Sequence, residues 1–527
     1  MTENHASSYG SLCCGCASWI SGECPALRVT RRQFLSEAAA VTAGGLALSA
    51  SPLLDAVSAK EPVHQLPVTK PLKVQPVLAY ALYERRPSTS WRWWGGILSE
   101  QDATEEKERI HGELTQMAAS AGFPLEILPV AVVQNPDQAQ AVAKCDHDAA
   151  IVYPASGLDG WEGKTLKAFT GSGKWTLMFL RHRSGPVYFW YGFTDLALLR
   201  TVQDVGTHPV IGIEDIVVDD TPELQWRLRA LFGLKNIMGK RIVAVGGPGG
   251  IGPEGSQSPD RARETWKLDI VTVPYPELAE SINRARRNDA LVKRASDEAE
   301  KYLRQKGLTF DTSKDFIKKS FLLYDLFKTM MDEARTDSIT VNECLSTIMP
   351  IAETSACLPL SMLSDEGYTG FCESDFAVIP SGLLLHYISG KPVFLNDPTY
   401  PHQGVITLAH CTAPRKMDGE HLESARILTH YESDYGAAPK VEMKTGQAAT
   451  VLDPDFAGRR WMGFEAEILD NPAFNMCRTQ VEVRVKGDWK RVVPETRGYH
   501  WMLSYGQYLR EVGYALKKVG VDWLNLS

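Results

Sequence analysis

The chain lacks a basic excess: 56 Lys and Arg face 64 Asp and Glu, giving a formal net charge of -8 and a pI near 5.9. Without a positive field there is little to displace counterions from a nucleic acid, so a polyanionic partner is disfavoured. None of the twelve histidines stands in an H-E-x-x-H motif, which excludes a zincin on its own signature. Internal repeats are absent. Low-complexity tracts are absent too, apart from an Ala-rich stretch near the N-terminus. Beyond that stretch no apolar run approaches the roughly 20 residues a membrane-spanning helix needs, so no stable span is expected. What remains has the charged and apolar content of an ordinary globular chain, 23% and 44%. At 527 residues it exceeds the roughly 250–300 at which a single core stops growing, so two or three units are expected.

The clearest local signal is N-terminal. Thr30-Arg31-Arg32-Gln33-Phe34-Leu35 precedes an uncharged stretch from Ala38 to Leu54, and Val57-Ser58-Ala59 offers a cleavage site. In that order these features resemble a twin-arginine (Tat) export signal over 1–59. The resemblance implies the Tat machinery as a partner and a periplasmic or extracellular destination. The plainer alternative is a short amphipathic helix with a chance arginine pair. Cys13, Cys14, Cys16 and Cys24 lie upstream of the pair, and no histidine or second close pair completes a zinc spacing. The other six cysteines are scattered among apolar residues and read as buried free thiols.

Residues 60–75 are Pro-rich and read as a linker. From 76 to 238, short apolar runs (Val77–Tyr83, Leu125–Val133, Ala149–Tyr153, Trp175–Leu180) alternate with helical stretches such as Glu100–Ser120, which implies βαβ units on a parallel sheet. A second α/β unit spans 239–412, with strands at Arg241–Val245, Asp269–Val273 and Ser338–Val341 and a long charged helix over Glu277–Gln305. From 413 to 527 the runs RILTHYES, KVEMKTG, AATVLD, FEAEIL and QVEVRVKG alternate in polarity, which predicts an antiparallel β unit, a barrel or sandwich, closed by a helix over Tyr505–Lys518.

Gly247-Pro-Gly249-Gly-Ile-Gly252 satisfies G-x-G-x-x-G after a strand, but Pro253 and Pro259 delay the next helix. A dinucleotide site needs that helix to begin at the loop. A Gly-rich surface loop is the reading preferred over a nicotinamide enzyme. His430, Glu432 and Asp434 read as a cross-strand polar cluster. The stretch Ala356–Thr412 is more informative. Cys372-Glu373-Ser374-Asp375 and Asn396-Asp397 set acids in apolar surroundings, and His410-Cys411 ends an apolar run. Buried carboxylates need a cation or donors, and carboxylates with an imidazole suit Mn²⁺ or a similar divalent ion. Helix capping and ion pairing are the structural alternative. For His410, a hydrogen-bonded core histidine competes with a metal or substrate contact.

This stretch resembles the L-fucose isomerase/L-arabinose isomerase-like family. The resemblance rests on Cys357-Leu358-Pro359-Leu360, Asp365-Glu366-Gly367, Cys372-Glu373-Ser374-Asp375, Gly390-Lys391-Pro392, Asn396-Asp397 and His410-Cys411. Arg497-Gly498-Tyr499-His500-Trp501, followed by Gly506, resembles the family's closing element. Ala356 stands where the pattern has a proline. The resemblance implies an α/β protein with two Rossmann-like or flavodoxin-like domains followed by a C-terminal antiparallel β-barrel. It implies Glu373, Asp397 and His500 as ligands of Mn²⁺ or another divalent cation. It further implies aldose–ketose isomerisation through an ene-diol, with Glu373 and Asp397 shuttling the proton. Trp91, Trp94 and His410 are candidate contacts to a monosaccharide or small glycan, and a homo-oligomer, trimer or hexamer, is expected. The alternative is an exported carbohydrate-binding or glycan-processing protein that reuses the fold without isomerase activity.

Overall fold

A computed structural model describes residues 69–157, 163–194 and 211–527. The Tat-like leader, its four cysteines and residues 60–68 of the expected linker lie outside them. Among the described residues no helix is long and apolar enough to cross a membrane.

The first unit is a parallel sheet in the order β2-β1-β4-β5-β6, with β3 also on β1. Its strands are β1 (Leu72–Ala79), β2 (Leu125–Ile127), β3 (Ala131–Val133), β4 (Ala149–Pro154), β5 (Trp175–Leu180) and β6 (Ile216–Val218). β1 begins within the stretch expected as linker, and Pro76 is what hid it, since proline is rarely tolerated in an inner strand. Here β1 pairs with β2 through Leu72–Val74 and with β3 through Val77–Ala79, so Gln75 and Pro76 face the break between them. The Leu72 and Tyr80 amides point to that edge. Pro76, in phase with both, lacks its N–H where no strand could accept it. Gln75 Nε2 fills the break by donating to Pro129 O at 2.8 Å. The helix Glu100–Ser120 forms as expected, closed by a capping box between Ser99 and Asp102.

The second unit holds β7 (Arg241–Val245), β8 (Asp269–Val273), β9 (Leu308–Asp311), β10 (Ser338–Val341) and β11 (Thr369–Phe371). Four of them form a parallel sheet in the order β11-β10-β7-β8, while β9 joins a separate small sheet. The single helix expected over Glu277–Gln305 is two, Tyr275–Arg286 and Asp289–Tyr302. Asn288 Oδ1 caps the second by accepting from the Ala290 and Leu291 amides.

The third unit is a closed six-stranded antiparallel barrel. Its strands are β12 (Phe394–Pro398), β13 (Val405–His410), β16 (Ala448–Pro454), β17 (Arg460–Asp470), β18 (Thr479–Lys486) and β19 (Trp501–Tyr505), in the order β16-β19-β12-β13-β18-β17 with β16 on β17 closing the ring. β14 (Ala425–Leu428) and β15 (Ala438–Val441) stand apart, β14 pairing with both β15 and β9, and β20 (Asp522–Asn525) adds to β17 in parallel. The barrel therefore starts at Phe394, ahead of the expected boundary at 412. Trp501–Tyr505 is strand, and the closing helix is Leu509–Lys518. The helices Thr221–Ile237 and Ile379–Ser389 tie the units together. A Cβ at Gly233 would lie 2.6 Å from Ile388, so only glycine permits that approach.

Candidate metal centre

Strand register brings distant residues to one point. β12 pairs antiparallel with β19, Asn396 opposite Trp501, and continuing that register sets Asp397 opposite His500. On its other side Asp397 pairs with Ala409, next to His410 at the end of β13. Glu373 arrives from the second unit, just past the carboxyl end of β11, where parallel sheets place their ligands. The site is thus the junction of a parallel-sheet edge with the barrel.

His500 Nε2 lies 3.3 Å from Glu373 Oε2 and 3.3 Å from Asp397 Oδ1, and His410 Nε2 lies 3.8 Å from Glu373 Oε1. Glu373 Oε2, both Asp397 oxygens and His500 Nε2 are buried and make no hydrogen bond. An octahedral ion bound at about 2.1 Å has neighbouring ligand atoms about 3.0 Å apart. The two 3.3 Å contacts of His500 Nε2 are close to that spacing. Asp397, His410 and His500 form one group able to hold a metal ion, and Cys372, Glu373 and His410 form another. Glu373, Asp397 and His500, the three expected ligands, come together. His410, expected as a substrate contact, stands among them.

Second contacts orient the imidazoles. His500 Nδ1 donates to Asp375 Oδ2 at 2.8 Å, which turns Nε2 towards the carboxylates. His410 Nδ1 lies 3.1 Å from Thr412 Oγ1. Asp375 Oδ1 accepts from the Ala377 amide at 3.1 Å. Sequence reasoning named Cys372-Glu373-Ser374-Asp375 as a motif but gave Asp375 no role; its place two residues after a ligand was the available signal. The Gly-rich loop was also undervalued as a surface loop. Gly249 N donates to Ser374 O and Gly249 O accepts from Phe376 N, both at 3.1 Å, so the loop clamps the turn that presents Glu373. Gly250 packs so tightly that a Cβ would lie 2.3 Å from Gly255 O.

The clamp holds a strained turn. Glu373 and Ser374 have φ of 65° and 46°, the left-handed region that non-glycine residues rarely occupy. Electrostatics follow from the convergence. Burial alone would raise the Glu373 carboxyl, but His410 and His500 hold it well below the usual range. Burial pushes Asp397 up, with the charge of Glu373 adding to it against the two imidazoles. Burial opposes a charge on His500, yet Asp375, Glu373 and Asp397 push its pKa well above the ordinary value. Three acidic side chains converge on His500, and a divalent cation fits that buried acidic set once the imidazole is neutral.

Other expectations fall elsewhere. Trp94 is 70% exposed and packs on Phe193, and Trp91 lies beneath Arg92; both belong to the first unit rather than to the group around His500. Cys344, Cys357, Cys372, Cys411 and Cys477 are buried and outside any disulfide, as expected, but Cys145 is exposed because it follows the end of the helix Pro136–Ala143. His430 is buried in the turn after β14 rather than in a cross-strand pair, and Asp434 is exposed, 3.8 Å from Arg478. Burial pushes the nearby Glu432 carboxyl up, and the charges of Glu373 and Asp397 contribute to that shift. No protein-family model matches the chain, and no curated protein does either.

Proposed function

We propose that the protein is a metal-dependent aldose–ketose isomerase of the L-fucose isomerase type, exported by way of its Arg31-Arg32 leader. The observation that carries this reading is the convergence of Glu373, Asp397 and His500 through buried ligand atoms that make no hydrogen bond. Glu373, Asp397 and His500 would hold the ion, with His410 beside them. A divalent cation there supplies Lewis-acid polarisation of adjacent carbonyl and hydroxyl oxygens and stabilises the negative charge of an ene-diolate. Glu373 and Asp397 flank the same point, so one can take the proton from one carbon while the other returns it to its neighbour. Their environments differ: the two imidazoles hold the Glu373 carboxyl well below the usual range, while burial pushes Asp397 up. Asp375 fixes the tautomer of His500. The turn at Glu373–Ser374, clamped by Gly249, keeps the base from drifting.

Metal analysis of the purified protein, followed by an aldose panel with added Mn²⁺, tests the proposal. Bound metal and interconversion of at least one aldose with its ketose are expected. Glu373→Gln should abolish both metal retention and turnover. Tight metal with no isomerisation of any sugar would sink the isomerase reading and favour a carbohydrate-binding or glycan-processing role.

A further inference from the structure

A second concavity opens between the helices Asp289–Tyr302, Lys314–Ala334 and Cys357–Asp365 and the chain after β13. It encloses about 540 Å³ and shares no residue with the metal centre. That volume lies within the roughly 300–1,000 Å³ of small-molecule sites.

Its charges divide into closed and open sets. Arg294 pairs with Asp325 at 2.7 Å and Lys328 with Glu366 at 2.9 Å, which closes those four. Lys301 and Lys416 line the cavity and, among the described residues, have no carboxylate within ion-pair distance. Two acids are left on the wall, Glu298 and Asp365, and Asp365 Oδ1 already accepts from the Arg415 and Lys416 amides at 2.6 and 2.8 Å. Burial pushes the Asp365 carboxyl up to about 7 and raises Glu298 as well.

Behind the wall stands a third cation. Arg415 is fully buried, yet among the described residues it makes no ion pair. Nε donates to Glu423 O at 3.0 Å and Nη1 to Gln305 Oε1 at 2.6 Å, while Nη2 makes no hydrogen bond. The Asp365 carboxyl feels its charge without forming an ion pair with it, and a buried charge so loosely matched projects its potential into the nearest polar space. Gln305 and Tyr302, both against Arg415, line the cavity, and the buried Tyr302 hydroxyl lies beside the guanidinium.

We propose that this cavity binds a small polyhydroxylated oxyanion, a sugar acid or sugar phosphate. Lys301 and Lys416 take its anionic end, with the Arg415 charge behind them, and the Tyr302 hydroxyl donates to one of its oxygens. Asp365 and Glu298 accept from its hydroxyls, and Phe321 and Met362 offer an apolar face to its C–H groups.

Calorimetric titration of the full chain with gluconate, glucose 6-phosphate, inorganic phosphate and glucose tests the proposal. A parallel series in Glu373→Gln separates this site from the metal centre. Gluconate or glucose 6-phosphate should bind in both proteins, and the better of the two identifies the anion, whereas glucose should bind at least about tenfold more weakly. The partly exposed pair Lys301→Ala/Lys416→Ala should weaken the anionic ligand by about tenfold or more with the metal content unchanged. Tyr302→Phe, which keeps the ring packing, should weaken it severalfold. Binding of inorganic phosphate alone, with no gain from the sugar, would overturn the proposal. So would equal binding of glucose, indifference to the double substitution, or no binding of any anion in the millimolar range.

Discussion

Two clusters bury charged groups, and they resolve the cost in opposite ways. In the first unit Arg181 and Glu106 are both fully buried. Arg181 Nε donates to Glu106 Oε1, Nη2 to Glu113 Oε2 at 2.8 Å and Nη1 to Ser184 Oγ at 3.0 Å. The Tyr188 hydroxyl also donates to Glu106 Oε1, and Arg109 takes the other oxygen. Every acceptor meets a donor of the chain itself. Around His500 the reverse holds, with lone pairs of two carboxylates and an imidazole converging without hydrogen bonds. Burial of charge therefore does not mark a site. What marks one is charge whose partners the chain does not supply.

That contrast can be broken by removing one member of each cluster. Arg181→Met takes from Glu106 its buried cation, leaving Tyr188 and the partly exposed Arg109, and should destabilise the protein by about 3 kcal/mol. Denaturant unfolding would show the loss, while metal content at saturation stays unchanged. Asp375→Asn should have the opposite profile. It replaces the charged acceptor that turns His500 by a neutral amide, so metal affinity should fall by about 10–100-fold, with a smaller loss of unfolding free energy in the metal-free protein than Arg181→Met causes. Equal losses of stability in the two variants would erase the distinction between closed and open clusters.

A subtler separation comes from pH. The pKa of His500 is raised above its unfolded value, so its contribution to metal-free stability is fully present below about pH 6.5 and lost as pH climbs through the folded value. Metal binding needs the neutral imidazole, so affinity should climb by up to about tenfold per pH unit until the folded pKa is passed. Melting curves with and without a chelator should therefore diverge as pH rises. A gap that narrows would show that His500 is not a ligand.

Much of this arrangement was legible in the sequence, for different physical reasons. β7, β8 and β10 are compact apolar runs between helical stretches, and their ends fall where periodicity put them. Glu373, Asp397 and His500 were read from motifs, and register then brought them together. The membership of β12 and β13 in the barrel was hidden, because an apolar run does not reveal whether its partner lies ten or a hundred residues away. The same non-locality concealed the Gly249 clamp on Ser374, since a Gly-rich loop looks alike whether it faces solvent or another backbone. Asp375 was in view but mute. Only the 2.8 Å contact with His500 separates it from a helix-capping acid.

The smallest expected effect bears on where strain is kept. Glu106 sits inside the regular helix Glu100–Ser120, whereas Glu373 and Ser374 occupy two successive left-handed positions. Each such residue costs about 1–2 kcal/mol relative to a relaxed backbone. Ser374 is also fully buried, with a hydroxyl that makes no hydrogen bond. Ser374→Gly removes both penalties at one stroke and should raise metal-free stability by about 1 kcal/mol. Glycine would also widen the range open to Glu373, so the metal should bind a few-fold more weakly. A calorimetric melt of the metal-free variant beside a metal titration measures both. If the variant is more stable and binds as tightly as before, the turn stores strain without using it, and Gly249 and Asp375 alone hold the open cluster in place. If stability rises while affinity falls, the strained turn is part of what keeps Glu373 aimed at the point where the other ligands converge.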